Sequence, residues 1–77
     1  MISYEPLFRT MKDRGITSYR LQQMGFNRAT YYSIKVGNSI STNTVEQLCR
    51  LLHCRVEDVL VYVEDGEDVP DNEKRGK

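Results

Sequence analysis

The segment from Thr17 to Gly37, TSYRLQQMGFNRATYYSIKVG, holds two short helical patterns with a single glycine between them, so the chain has to turn at Gly25. Leu21, Met24, Phe26, Tyr31 and Ile34 form its inward-facing set. Thr17 is placed to cap the first of the two helices, because its hydroxyl can accept from an unpaired first-turn N–H, and Asn27 is placed to cap the second. Gly25 takes the left-handed conformation that ends a helix without a Cβ clash, and Phe26 plugs the corner behind it. Arg28, Ala29, Tyr32, Ser33 and Lys35 then fall between the apolar positions. The second helix therefore carries a basic, hydrogen-bonding and aromatic face opposite its core face. A helix that reads a duplex needs such a face.

The flanking chain supplies scaffold. YEPLFRTMKDRG predicts a first helix with Pro6 in its first turn and Leu7, Phe8 and Met11 facing in. Glu5 lies near its positive end and Lys12 and Arg14 near its negative end, each favourable by roughly 0.3–1 kcal/mol. Gly15 stops it, and Ile16 packs into the core ahead of the next cap. A fourth helix is expected over Thr42 to Leu52, with Val45, Leu48, Cys49, Leu51 and Leu52 inward, a Ser or Thr cap, and Glu46 in its first turn. A short fifth helix is expected from Val56 to about Val61, with Val59 and Leu60 closing the core. The run VLVYVED then alternates, so either that helix continues or a short strand forms, which could pair with a twin across a two-fold axis. GEDVPDNEKRGK is rich in Pro, Gly and charge and reads as disordered. The expected organisation is all-α: a compact five-helix domain over residues 1–65 and a disordered acidic tail over 66–77.

Seventy-seven residues sit near the lower limit for one unstapled core, so a second copy of the chain is an expected partner. The net charge of zero conceals a segregation: residues 1–56 carry eight cations against three carboxylates, a net of +5, and residues 57–77 carry the reverse, a net of −5. A basic body with an acidic tail suits an anionic partner. No run is long and apolar enough for a membrane span, MISYEP lacks the regions of a signal peptide, and a cytoplasmic location is expected. Cys49 and Cys54 then read as partly apolar core thiols in a reducing compartment, not as a disulfide, and with His53 between them they crowd one helix end too closely for a tetrahedral metal site. His53 is the sole histidine, no nucleophile is paired with it by any motif, and no glycine loop cradles phosphate. No catalytic residue, metal, cofactor or small-molecule ligand is expected.

Leu21, Gly25-Phe26-Asn27-Arg28, Thr30-Tyr31, Ile34 and Gly37, followed by Ser41, Thr44, Leu48-Cys49, Leu51-Leu52, Val56 and Asp58-Val59-Leu60, resemble the Cro and lambda-repressor-like helix-turn-helix family, the xenobiotic-response-element group. The likeness extends over roughly residues 3–63 and is greatest to small stand-alone bacterial and phage regulators. Leu21 stands one residue nearer the turn glycine than is usual there, which implies a tighter corner, and Tyr31 occupies a position where a branched aliphatic is usual. The resemblance implies a sequence-specific, double-stranded DNA-binding transcriptional regulator, a repressor that reads the major groove with the helix over 28–35; a homodimer on an inverted repeat is expected, with a monomer as the alternative because no dimer helix is evident. On the residues themselves, Asn27, Arg28, Ala29, Tyr32 and Ser33 are the candidates for base edges: Arg28 for guanine, Asn27 for adenine if it is not consumed as a cap, Ala29 for a thymine methyl. Thr17, Ser18, Arg20, Lys35, Asn38 and Ser39 are the candidates for phosphates. The alternative is a protein-interaction module, antirepressor or antitoxin-like, that keeps the fold and turns its surface to another protein.

Overall fold

The computed structural model describes residues 1–64, in the order β1 (Ile2–Ser3), α1 (Glu5–Asp13), α2 (Ser18–Gln23), α3 (Arg28–Lys35), α4 (Thr42–Leu52), a 3-10 turn (Val56–Asp58) and β2 (Val61–Tyr62). The expected charged tail, residues 66–77, lies outside the described residues. Among the described residues four α-helices form, and the expected fifth shrinks to a single turn of three residues. Asp58 accepts the Arg55 N–H at 3.1 Å on its carboxylate and so caps the start of this turn. Beyond it the alternating run takes its extended option. Val61 and Tyr62 pair antiparallel with Ser3 and Ile2 of the same chain, so the domain is mostly helical with one small ribbon and not strictly all-α.

The helix ends follow from local chemistry. Thr17, Asn27 and Ser41 each cap the helix that follows by accepting an N–H three residues on, from Arg20 (3.1 Å), Thr30 (3.0 Å) and Thr44 (3.1 Å). At the corner between α2 and α3, Gly25 has φ +110°, the Phe26 N–H donates to the Leu21 carbonyl at 3.2 Å and the Gly25 N–H to the Gln22 carbonyl at 3.0 Å. This pair of bonds fixes the turn, and it brings the buried side chains of Leu21 and Phe26 into the same part of the core. α1 and α3 end with the same bond pattern, at Gly15 and Gly37. α4 also closes through a left-handed residue, the non-glycine His53 at φ 52° and ψ 53°, but there both the His53 and the Cys54 N–H donate to the Cys49 carbonyl. Arg14 answers the α4 end: its guanidinium donates to the Leu52 carbonyl and, at 3.3 Å, to the His53 carbonyl. Thus Arg14 serves the carbonyl end of α4, not that of its own helix.

Leu7, Leu21, Ile34, Leu48, Leu52 and Val59 are fully buried, one or two from each major element. Each contributes about 1.5–3 kcal/mol of transfer free energy. Tyr4, Met11, Phe26 and Tyr31 complete the core, with Phe8, Ile16, Ile40, Cys49, Leu51, Cys54 and Leu60 partly buried against it. Met24 departs from expectation: it is the C-cap of α2 and only half-buried. Glu46 likewise falls outside the first turn of α4, which holds no acid. Tyr4 is a core residue outside the expected inward set. It precedes α1, is 7% exposed, and donates its hydroxyl to the Asn38 carbonyl at 2.8 Å.

Candidate nucleic-acid interface

α3 is divided cleanly by its periodicity. Tyr31 and Ile34 are 7% and 1% exposed and face the body, whereas Arg28, Ala29, Tyr32 and Lys35 face outward. Two of these outward positions, 28 and 29, open the helix directly after the corner built at Gly25 and Phe26, and Tyr32 follows one turn on. Ser33 is half-buried at the flank of this face. Asn27 stands at the start, but its Oδ1 already accepts from the Thr30 N–H at 3.0 Å and from the Thr30 hydroxyl at 3.4 Å. The cap therefore consumes the acceptor that a two-point grip on adenine would use, and its amide NH2 remains for donation.

The exposed aromatic of this face is anchored through to α1. The Arg28 guanidinium lies over the Tyr32 ring at 5.6 Å from its centroid; Tyr32 meets Tyr31 edge-on at 5.8 Å and 77°; Tyr31 meets Phe8 edge-on at 6.2 Å and 88°. Each aromatic pair adds about 0.5–1.5 kcal/mol beyond burial, and the exposed cation–π contact about 0.5–1 kcal/mol. Burial pushes the Tyr31 hydroxyl above the ordinary phenol range, and the neighbouring Tyr32 adds to the shift. Tyr31 thus stays neutral near pH 7, and the exposed Tyr32 hydroxyl is available as a hydrogen-bond donor.

The remaining predicted positions stand at either end of the motif along the chain. Thr17, Ser18 and Arg20 open α2, with the Thr17 hydroxyl occupied as a cap, Ser18 half-buried and the Arg20 side chain exposed. Lys35 ends α3, and Asn38 and Ser39 are exposed in the loop that follows. That loop is held in place: the Asn38 N–H donates to the Ser33 carbonyl at 2.9 Å, and its carbonyl accepts from Tyr4. Sequence reasoning passed over this tether. The i, i+3, i+7 spacing of Tyr4, Leu7 and Met11 was the available sign that Tyr4 belongs to the core.

Electrostatics separate this region from the rest. Between Asp13 and Glu46 the chain contains no carboxylate, and α2, α3 and α4 all lack an acid in the first turn. Their positive helix ends are left uncompensated. Outside the motif, Arg50 pairs with Glu46 (3.7 Å), Arg55 pairs with Glu57 (3.3 Å) and Arg14 sits on the α4 carbonyls, while Arg9 and Lys12 of α1 make no ion pair among the described residues. Arg9 lines a polar hollow with Asp13, Glu57 and Asp58. Among the described residues, Arg20, Arg28 and Lys35 have no ion pair, so these three supply the free positive charge of the motif.

Among the described residues, no helix is long and apolar enough to cross a membrane. Residues 7–65 match the family described as the Cro/C1-type HTH DNA-binding domain. No curated protein and no solved structure matches the chain.

Proposed function

Because the chain belongs to the Cro/C1-type helix-turn-helix DNA-binding domain family, we propose that it is a sequence-specific repressor that reads the major groove of double-stranded DNA with α3. The observation that carries this reading is the division of α3: an acid-free outward face of Arg28, Ala29 and Tyr32, backed by the buried Tyr31 and Ile34. Arg28 pairs with guanine O6 and N7, Ala29 touches a thymine methyl, and the Asn27 amide donates to a base acceptor while its oxygen stays on the cap. Tyr32, stacked against Arg28, donates to phosphate or packs on sugar, and Ser33 contributes its hydroxyl at the flank. Thr17, Ser18, Arg20, Lys35, Asn38 and Ser39 hold phosphates and set the register of the helix in the groove.

The operator is an inverted repeat bound by a homodimer, with half-sites one helical turn, about 34 Å, apart. Val61, Tyr62 and Val63 are 43%, 64% and 42% exposed on the ribbon and are the apolar surface we assign to the contact between copies. Repression follows from occupancy of the promoter.

Selection of bound sequences from a random duplex pool tests the proposal directly. A recovered palindrome supports it. An Arg28→Ala variant is expected to bind the selected site about 5- to 150-fold more weakly, the equivalent of about 1–3 kcal/mol, and to relax the preference at one base pair of each half-site. Undiminished binding by that variant in a gel-shift titration overturns the assignment of α3 as the reading helix.

A further inference from the structure

The helix ends of this chain repeat one geometry, and at α4 that geometry sets two thiols side by side. Where a helix closes through a left-handed residue, the side chain two positions beyond the cap meets the one a turn back inside the helix. At α1 the pair is Met11 and Ile16, whose backbone bond is 2.9 Å, and at α2 it is Leu21 and Phe26, at 3.2 Å; both pairs pack in the core. At α4 the pair is Cys49 and Cys54, where the Cys54 N–H donates to the Cys49 carbonyl at 3.1 Å across the left-handed His53. Burial raises the pKa of the Cys54 thiol, and Cys49 adds to the shift both by charge and through a side-chain hydrogen bond. Both sulfurs are free and half-buried, and Cys49 opens onto an apolar groove shared with Val45, Val56 and Leu60.

We propose that Cys49 and Cys54 are a reversible dithiol site, closed to an intramolecular disulfide by small oxidising disulfides of the glutathione class. Cys49, at the groove, attacks one sulfur of the oxidant as thiolate; the oxidant's S–S bond breaks, and its other half leaves as thiolate and takes up a proton. Cys54 then loses its proton and attacks the Cys49 sulfur of the mixed disulfide, displacing the second half as a thiol. Two protein thiols are oxidised and one small disulfide is reduced to two thiols. The bond forms within one helix end and leaves the outward face of α3 untouched, so it acts on the fold and not on the base contacts.

The test uses the full chain, reduced and then equilibrated without oxygen against mixtures of reduced and oxidised glutathione, acid-quenched, alkylated and weighed intact. The expected product has lost the mass of two hydrogens, takes up no alkylating reagent, remains a single covalent chain, and melts several degrees higher than the reduced protein. Peptide mapping is expected to join Cys49 to Cys54. In Cys54→Ser the glutathione adduct on Cys49 persists instead of resolving. Overturning results are a wild-type chain that carries two glutathiones, one that links to a second chain, or one whose thiols remain alkylatable at every ratio. Should the serine variant fail to fold, the wild-type outcomes decide between these by themselves.

Discussion

Two tyrosines enter the core, and their hydroxyls fare differently. Tyr4 donates to the Asn38 carbonyl, whereas the Tyr31 hydroxyl has no hydrogen-bond partner among the described residues. A hydroxyl that makes no bond contributes little to stability, so Tyr31→Phe is expected to be neutral or stabilising by up to about 1 kcal/mol at pH 7. The same substitution changes the alkaline limb. A phenol whose folded-state pKa is raised above its unfolded value stabilises the fold below the unfolded pKa of about 10, and that contribution is lost as pH climbs from there through the folded value. Urea titrations at pH 8 and pH 10.5 are therefore expected to show a smaller loss for Tyr31→Phe than for the parent. His53 offers the converse case. Its left-handed backbone costs an L residue about 1–2 kcal/mol, part of which glycine returns as unfolded-chain entropy. His53→Gly is expected to raise stability by roughly 0.5–1 kcal/mol, read as a higher urea midpoint with an unchanged slope.

At the level of the element, the proposed reading sets holding a helix against contacting a base, and the two demands meet in Asn27. Asn27→Ala removes the cap and is expected to cost about 0.5–2 kcal/mol of stability. Asn27→Asp keeps an acceptor for the Thr30 N–H and favours the helix dipole, yet it deletes the NH2 donor and adds an anion facing the duplex. The expected outcome is a stable protein by thermal melting that fails in the gel shift. Binding that tracks stability in both variants, with Asn27→Asp retaining the two together, would mean that Asn27 is a cap and nothing more. Most of this element was legible in the chain, since Thr17, Asn27 and Gly25 act through local bonds that residue type alone dictates. The commitment of the Asn27 oxygen was foreseen only as a condition. The stacking of Arg28 on Tyr32 was not foreseen at all, because a side-chain rotamer is chosen by neighbours such as Tyr31 and Phe8 that periodicity does not specify.

For the molecule as a whole, charge segregation visible in the sequence becomes a sharper division once partners are counted. Of the eight cations in residues 1–56, Arg14, Arg50 and Arg55 are held by carbonyls or carboxylates away from α3 and Arg9 and Lys12 lie on α1; on the proposed reading, Arg20 and Lys35 are the charged phosphate contacts of the motif beside Arg28. Two phosphates neutralised per protomer give a log–log salt slope of about −2 for one protomer and about −4 for a dimer. Lys35→Ala is expected to reduce that slope by about 0.9 per protomer while weakening all duplex sequences alike, measured by fluorescence anisotropy across a salt series. The five-helix expectation failed where the signal was non-local. Ile2–Ser3 captures Val61–Tyr62 from the far end of the described chain, a pairing that no local pattern could announce.

That capture has a topological consequence. The Val63 N–H donates to the Met1 carbonyl at 2.8 Å, so the first and nearly the last described residues touch, and the folded body is close to a closed loop of polypeptide. Where such a ring is opened matters less to the core than that it is opened in an exposed connection, which makes the domain a natural candidate for circular permutation. A tether joining residue 63 to residue 1 would need to span little more than a hydrogen bond.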